Sequence, residues 1–574
     1  MAARSDFLIA EKTLREIASL CIHLDGLPLA IELAASRLKM LSCSDLLRML
    51  PGRLALLKAT SRDLPGRQQT LVSAIDWSHD LLGPAERLLF TRLSVFVGGC
   101  TLEAAESICS SWGSQPELDV LDCITSLVDN SLLRVTEGRR ESRFWMLETI
   151  QEYALTKLAA GPATEALKER HAAYYLALAE EGAGALHGPD QMDWLDRLER
   201  EYGNLQAALE RYLGSGRPWE ALRLCTALEW FWYRYAHFSD ARRWLTAALK
   251  LATERGLPAA SHPGASLPAS TTPTPGDEDG WRQVQIAAGR ALRALAWLLM
   301  VQGEWPQAKD SYQESLATAK RWGDARGEVL ALSGLGVAER WLGERSAGSG
   351  HVEAAVQLAR ELRDPLSIAL SLIWAYSTTG GKYSGEPPLA QLEEALELAR
   401  RLGDPWCVAH AFNGLGDLLT ELGDYKSARV NYEKALKSFR ELSDDWLVAW
   451  QLEGLARVSL LDGDCEGAVR TTQESLRLFD EIGDRANVVF MMGRLGMVLR
   501  RAGCRARATS ILGAFERLER EILGAANRGA HSPDLAAALS TCKEAASESW
   551  AAGQAMSYAQ ALAYSLASPD AGKE

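Results

Sequence analysis

The sequence lacks the grouped cysteines and histidines from which structural metal sites are built. Its ten cysteines are scattered from Cys21 to Cys542, no two of them form a CxxC pair, and no Cys/His cluster has zinc spacing. This pattern excludes a zinc module. It favours a reducing cytoplasm, where the cysteines serve as small buried apolar residues.

Long apolar runs are also missing. The N-terminal MAARSDFLIAEKTLREIAS acquires charges within a few residues, unlike a signal peptide. The longest apolar stretch, ALRALAWLLMV from Ala291, contains Arg293 and is too short to span a bilayer. We therefore predict a cytoplasmic protein that makes no use of a membrane.

Basic residues are in deficit. The 62 Lys and Arg are outnumbered by 75 Asp and Glu, which gives a formal net charge of −13. Because affinity for nucleic acid comes from neutralising phosphates with Lys and Arg, this balance argues against a mainly phosphate-binding surface. With 47% hydrophobic and 24% charged residues, the composition is typical of a folded soluble protein.

Catalytic motifs are absent as well. The sequence has no HExxH and no GxSxG, and His23, His79, His171 and His410 are isolated from one another. We expect these histidines to be core or surface residues. The chain is therefore predicted not to be an enzyme and to hold no metal.

What is present is a repeat of 40 residues. Aspartates, leucines, glycines and alanines recur in one phase: Asp324, Asp364, Asp404, Asp444 and Asp484; Leu335, Leu415, Leu455 and Leu495; Gly303, Gly343, Gly423, Gly463 and Gly503; Ala308, Ala428, Ala468 and Ala508. Between Asp404 and Asp444, apolar residues follow three- and four-residue spacing on both sides of Gly423-Asp424. Each unit is therefore predicted to be a hairpin of two amphipathic helices, and the stack to be the folding unit.

The repeat resembles the tetratricopeptide repeat (TPR). The Leu415-Gly416 pair, the turn Gly423-Asp424-Tyr425 and the alanine after it all match that motif, although the usual period is 34. The copy near 365–400 departs most, and a distorted hairpin or hinge is expected there. A further hairpin is predicted from Pro218. The Pro/Ser/Thr-rich segment 256–280 is predicted to be a disordered linker.

The N-terminal third carries a second resemblance. Gly26-Leu27-Pro28 lies in a GLPLA corner, RQQTLVSAIDWSHDLLGPAERLLF begins at Arg67, and FWMLETIQEYALTKL begins at Phe144. These segments resemble the region after the ATPase core in STAND/NB-ARC-type bacterial regulators, where a winged helix and TPRs follow the GLPLA helix. By this resemblance Gly26, Leu27 and Pro28 would lie beside a bound nucleotide.

The P-loop of that family is not in the chain. Gly381-Lys382 and Gly572-Lys573 are the only Gly-Lys pairs, and neither has the glycine and the Ser or Thr that a P-loop requires. We expect no cofactor, with ATP or ADP bound only if a P-loop domain is supplied from elsewhere. The recognition segment of the winged helix, from Pro116, carries Glu117, Asp119, Asp122 and Asp129, so DNA binding by this chain is disfavoured.

The partner site is predicted on the concave face of the stack, which the first helices of the hairpins line. Counting from Leu335 assigns the inward positions, where aromatic and Arg residues are the usual hot spots: Arg290, Arg293, Trp297, Arg340, Trp341, His410, Asn413, Asp417, Trp450, Arg457 and Arg500. Any single tryptophan at helical spacing is more often a core residue, so this interpretation competes with plain packing.

These observations predict a mainly all-α protein with six segments: a GLPLA module (1–65), a winged helix (66–160), a helical region with the first TPR-like hairpin (161–255), a linker (256–280), TPR-like repeats (281–523) and capping helices (524–574). The predicted function is a non-catalytic, signal-sensing interaction scaffold, the regulatory half of a STAND-type regulator. It would bind a protein, a peptide or a small effector. The alternatives are a transcriptional regulator that contacts DNA through the winged helix, a subunit acting with a separate P-loop ATPase, and a chain whose ATPase domain is encoded upstream.

Overall fold

The computed structural model describes residues 11–23, 31, 43–49, 71–110, 118–138, 141–159, 164–235, 237–255, 278–379, 388–522, 533–544 and 548–567. These residues form 28 helices and three short strands. The predicted all-α fold is confirmed. The GLPLA corner and Pro/Ser/Thr-rich residues 256–277 lie outside the described residues, and a helix begins at Glu278, so the last three residues of the predicted linker are helical.

The N-terminal third contains helices and one small sheet. They are α1 Glu11–His23, α2 Cys43–Met49, α3 Leu71–Asp80, α4 Pro84–Leu93, β1 Cys100–Thr101, α5 Leu102–Cys109, α6 Val120–Asp129, β2 Arg134–Glu137, β3 Ser142–Trp145, α7 Glu148–Ala159, α8 Thr164–Ala185, α9 Gln191–Arg200 and α10 Tyr202–Gly214. The strands are antiparallel in the order β1-β3-β2. This element order agrees with the predicted winged helix, which stays a prediction.

The remaining elements are helices that pair as hairpins. They are α11 Pro218–Ala227, α12 Glu229–Arg234, α13 Phe238–Glu254, α14 Glu278–Val301, α15 Trp305–Trp322, α16 Ala325–Trp341, α17 Arg345–Leu362, α18 Pro365–Thr379, α19 Pro388–Leu402, α20 Pro405–Glu421, α21 Tyr425–Glu441, α22 Asp445–Leu461, α23 Cys465–Ile482, α24 Arg485–Arg501, α25 Arg505–Ile522, α26 Pro533–Glu544, α27 Glu548–Ala555 and α28 Tyr558–Leu566. Chain contacts divide the protein into two compact units, residues 1–178 with 199–214, and residues 179–198 with 215–574.

In the first unit, one buried carboxylate holds the sheet to the helices. Glu201 is 4% exposed and forms an ion pair with Arg143 of β3. Its second oxygen accepts from the Tyr175 hydroxyl (3.0 Å) and from Asn204 Nδ2 (2.7 Å). Arg143 also donates to the backbone carbonyl of Gly98. The guanidinium is therefore committed to this internal network instead of forming a basic patch on the β2–β3 hairpin.

In the second unit, the 40-residue aspartates begin the first helix of five successive hairpins. The Asp324, Asp404, Asp444 and Asp484 carboxylates each accept from a backbone N–H two or three residues later, as N-caps do. Asp364 accepts similarly from Ser367. The first helix ends near a glycine with positive φ, for example +82° at Gly423, a conformation that side chains disfavour. The 40-residue period of the sequence therefore reflects the residues that begin and end the helices as much as the residues of the core.

Glycines on two neighbouring helices leave room for an aromatic ring to pack between them. Tyr432 of α21 is 1% exposed and lies between Gly416 of α20 and Gly454 of α22. A Cβ at Gly454 would come within 2.6 Å of the ring, and one at Gly416 within 2.8 Å. The ring cannot easily move aside because its hydroxyl donates to Asp417 (2.7 Å) and accepts from Arg457 (2.6 Å).

One described segment, Asp279–Val301 of α14, is long and apolar enough to cross a membrane. Half of the 18-residue stretch that meets this criterion is buried in the protein. It packs between α13 and α15, as the core helix of a helical stack does. The evidence for a membrane span is therefore weak.

We expect Gly454→Ala to lower the free energy of unfolding by about 1–3 kcal/mol, because the added methyl overpacks against the fixed Tyr432 ring. Urea unfolding followed by circular dichroism measures this change. The matched control is Gly350→Ala in α17, where a Cβ would meet nothing within 4 Å and helix propensity alone should add about 0.5–1 kcal/mol. Equal effects of both variants would contradict this account of the packing.

Candidate functional site

Tryptophans on the first helices of several hairpins face a common short helix, α12. We define the aromatic groove as Trp297 of α14, Trp374 of α18, Trp406 and His410 of α20, and Trp446 of α22. The Tyr233 ring of α12 lies 4.1 Å from Trp297 and 5.6 Å from Trp406, measured between ring centroids. Trp230 lies 5.3 Å from Trp406. The helix therefore occupies the groove through its aromatic side chains.

The same contacts show how strongly the stack bends. Trp297 and Trp446 belong to helices that are separated in the stack by several others, yet their ring centroids lie 6.4 Å apart. Helices of one series can converge in this way only if the stack curves toward the face that carries them. The face lined by the first helices is therefore concave, as the sequence predicts.

Helix α12 presents two faces. Phe231 and Trp232 are 0% and 1% exposed, and Trp232 borders the same recess as Ala241 and Leu245 of α13. Trp230 and Tyr233 face the groove. A partly open recess remains beside α12, with Trp297 and Trp374 on its walls. Helix α12 is thus enclosed between its own hairpin and the repeats.

A polar cluster beside the aromatic contacts fixes this arrangement. We call His187, Gln191, Arg234 and Asp404 the polar clasp. Gln191 Nε2 donates to Asp404 Oδ1 (3.2 Å), and its Oε1 accepts from Arg234 Nη1 (2.5 Å). His187 Nδ1 lies 3.3 Å from Asp404 Oδ2. The N-cap carboxylate of α20 therefore also binds a segment more than two hundred residues earlier in the chain.

Asp404, and not another of the N-cap aspartates, belongs to the polar clasp for a local reason. Asp484 accepts from the Trp446 indole, 38 residues earlier, at 3.0 Å, and Asp364 pairs with Arg326, also 38 residues earlier, at 3.5 Å. The residue 38 positions before Asp404 is Leu366, which has no donor. Because the repeat itself supplies no partner there, the carboxylate is available to the clasp.

The two neighbouring N-cap carboxylates have opposite electrostatics. Burial tends to raise the pKa of Asp404, but the hydrogen bond from His187 and the charge of Arg234 lower it to about 2. Burial raises the pKa of Asp444 to about 7, against the Leu447 N–H and the charge of Arg234. A weak hydrogen bond from the Trp406 indole also lowers this pKa, but burial prevails. One carboxylate and one carboxyl that is readily protonated therefore lie near the same guanidinium.

Arg234 itself is incompletely satisfied. It is 2% exposed, and within the described part of the chain its Nε and Nη2 atoms have no hydrogen-bond partner. Its guanidinium lies 5.0 Å from the Trp406 ring, a cation–π distance. The nearby His410 ring is held neutral, since burial lowers its pKa to about 3. Leaving buried donors unpaired costs about 1–3 kcal/mol per group.

A second set of polar residues lies on the same helices, closer to their C-terminal ends. We define the charged rim as Asp417, Arg457, Glu453 and Arg494. Arg457 pairs with Asp417, and Arg494 Nε lies 3.2 Å from Glu453 Oε1. The Asp417 and Arg457 side chains are each 34% exposed. The rim is thus paired internally but remains open to solvent.

The sequence-predicted groove residues lie in different environments. Arg293 pairs with Glu229 of α12 at 2.6 Å, Trp297 contacts Tyr233, and His410 lies against Trp406 with ring centroids 3.9 Å apart. Arg290 pairs with Asp324. Trp341 stacks on Trp305, away from these contacts, and the other predicted positions are half-buried or exposed, namely Arg340, Asn413, Asp417, Trp450, Arg457 and Arg500.

Sequence reasoning missed the residues that matter most to this arrangement. Trp406 and Trp446 lie one helical turn before His410 and Trp450, so the 40-residue phase could have found them. The occupants His187, Gln191 and Arg234 lie outside the regular repeat and carry no periodic signal. The density of aromatics in EWFWYRY, from Glu229, was the only sign of a special role.

The nucleotide-adjacent prediction for Gly26, Leu27 and Pro28 lies outside the described residues. Across the part of the chain that the structure describes, no group of three or more His, Cys, Asp or Glu could hold a metal ion.

The comparisons with known proteins identify the repeat in one part of the chain and find two relatives in sequence. The tetratricopeptide repeat family model matches residues 389–441. A Mycobacterium tuberculosis protein with the name "Putative HTH-type transcriptional regulator" is 31% identical over 392 residues, which cover 66% of this chain and 40% of that protein. An uncharacterized protein of the same organism is 34% identical over 168 residues, or 29% of this chain and 43% of that one. The chain thus spans about two fifths of the length of these relatives.

Two solved structures align with parts of this chain. A STAND protein with a tetratricopeptide repeat sensor from Pyrococcus horikoshii aligns with a TM-score of 0.46 and 13% identity, covering 92% of this chain and 70% of that one. A Rap protein in complex with competence and sporulation factor aligns with a TM-score of 0.40 and 13% identity, covering 66% of this chain and 99% of that one.

We expect Asp444→Asn to stabilise the protein at alkaline pH. The raised pKa of Asp444 means that the folded state binds this proton more tightly than the unfolded state. Its contribution to stability is therefore full below about pH 4 and is lost as the pH rises to about 7. Asparagine keeps an oxygen for the Leu447 N–H and cannot ionise.

Thermal unfolding at about pH 5 and about pH 8 measures this effect, with the larger gain in Tm expected at the higher pH. Asp464→Asn is the matched control, because Asp464 is an exposed N-cap of α23. A gain for Asp444→Asn that is the same at both values of pH would show that ionisation of Asp444 is not its source.

Proposed function

We propose that this chain is the sensor and regulatory half of a STAND-type bacterial regulator, a non-catalytic scaffold that binds a protein or peptide partner on the concave face of its repeats. One observation carries the proposal: the first helices of separate repeats bring an aromatic groove and a charged rim onto the same inner face. Tryptophan and arginine are the residues that most often dominate protein interfaces.

The rim supplies the polar part of such a surface. Arg457 and Asp417 are one 40-residue period apart and a third exposed. Near them, the Tyr376 hydroxyl has no hydrogen-bond partner among the described residues, although Tyr376 is 4% exposed. Charged and hydroxyl groups that are held in place but not fully used favour a ligand with complementary polar groups.

A DNA-binding role has less support. On α6, the candidate recognition helix, the exposed positions are Leu121, Asp122, Thr125 and Asp129, which carry no positive charge to neutralise phosphates. Arg143 is engaged by Glu201. The alternative through the winged helix therefore rests on the name of the mycobacterial relative alone.

The test is to select peptides from a displayed random library on the immobilised chain and to measure their affinity for rim variants. We expect Arg457→Gln to weaken the selected peptides by about tenfold, because a charge at the centre of the surface is lost. Thermal unfolding of the variant reports whether its fold is retained.

The matched control is Lys437→Gln, which removes a cation on the outer face of α21, where the Lys437 side chain is 78% exposed. The proposal predicts no change in affinity for that variant. Failure to enrich any peptide, or selected peptides that bind Arg457→Gln and the unmodified chain equally, would argue against partner binding at this face.

A further inference from the structure

The aromatic groove already contains helix α12, so the side chains of α12 indicate which chemical groups the groove can bind. Trp230 and Tyr233 are three residues apart, so they project from one face of the short helix α12, and Arg234 follows directly. Trp230 and Tyr233 both contact Trp406. The guanidinium of Arg234 binds Gln191 and faces Asp404 and Asp444. The complementary surface is thus aromatic with an acidic end.

The fit of this occupant is incomplete. Two guanidinium nitrogens of Arg234, Nε and Nη2, have no hydrogen-bond partner among the described residues, and Arg234 is 2% exposed. The Trp406 indole and the Asp444 carboxyl satisfy each other in part, since the indole lowers the pKa of that carboxyl through a weak hydrogen bond. A surface evolved only for permanent packing would be expected to replace such groups by apolar ones, since unpaired buried polar groups oppose association. These atoms remain able to bind a ligand that satisfies them better.

The occupant is held by a small set of contacts with the repeats. Trp230, Tyr233 and Arg234 contact the groove. Glu229 pairs with Arg293 of α14, and Trp232 lines a recess with residues of α13 and α14. A partner that displaces α12 must replace these contacts. A competing helix could then take the vacated positions.

Building on the proposed function, we propose that α12 is an internal ligand of the aromatic groove, and that the groove binds a helical segment of a partner protein with the same chemistry. That segment presents two aromatic side chains three residues apart, followed directly by an arginine. Binding of the partner displaces α12 and opens the polar clasp. A partner must therefore bind the groove more favourably than α12 does.

The experiment uses a fluorescein-labelled peptide that copies residues 227–238 and measures its anisotropy with the full chain. Arg234→Gln weakens the internal competitor and leaves the groove intact. We therefore expect the peptide to bind this variant about tenfold more tightly than the unmodified chain, because a larger fraction of grooves is open. Arg223→Gln, which removes a surface pair between α11 and Glu180, is the matched control and should bind like the unmodified chain.

Three further measurements locate the binding. Asp404→Asn in the Arg234→Gln background keeps an N-cap for α20 but removes the anion, so peptide affinity should fall by about tenfold. A control peptide with alanine at both aromatic positions and glutamine at the arginine position should not bind. Hydrogen exchange on the unmodified chain provides a readout that needs no variant, since saturating peptide should accelerate exchange in residues 229–235 and leave α23 unchanged.

Equal affinities for the Arg234→Gln and Arg223→Gln chains, or peptide binding without faster exchange in residues 229–235, would overturn the proposal. A dimer that forms on opening the clasp and excludes the peptide would show that the occupant is a second copy of this chain, which also overturns it. If peptides selected from the random library bind the rim but do not compete with this peptide, the proposed function stands and the internal-ligand proposal fails.

Discussion

The second unit depends on a carboxylate at the start of the first helix in five successive hairpins. These aspartates accept the otherwise unpaired N–H groups of the first turn, which fixes where each helix begins. Since each hairpin has the same length, a fixed beginning also fixes the phase of every inward-facing residue. The alignment of Trp406 with Trp446, and of Asp417 with Arg457, follows from this single constraint.

The same carboxylates determine where the stack binds something else. An N-cap aspartate has two oxygens and needs only part of its capacity for the helix. In most repeats a side chain 34 or 38 residues earlier takes the remainder, as Arg290 does at Asp324. At Asp404 the position 38 residues earlier is Leu366, and His187 and Gln191 bind instead. A departure from the repeat of one residue thus coincides with the place where a non-repeat segment enters the concave face.

Much of this fold could be predicted from the sequence because its physics is local and periodic. The 40-residue aspartates, the positive-φ glycines and the apolar spacing correctly indicated the helical hairpins and the face that lines the concave side. The extent of the curvature could not be predicted, because it depends on contacts such as Trp297 with Trp446 that join helices far apart in the stack. Nor could the role of Arg234, since neither its burial nor its partners follow from any spacing.

The clasp also changes the order in which this protein should come apart. In an ordinary repeat array each unit touches only its neighbours, so the ends can fray independently of the middle. Here the hydrogen bond between His187 and Asp404 spans 217 residues and joins the beginning of the array to its centre. The intervening hairpins are enclosed in a loop, and none of them can leave without opening it. From α11 to α20 the array should therefore melt as one cooperative block.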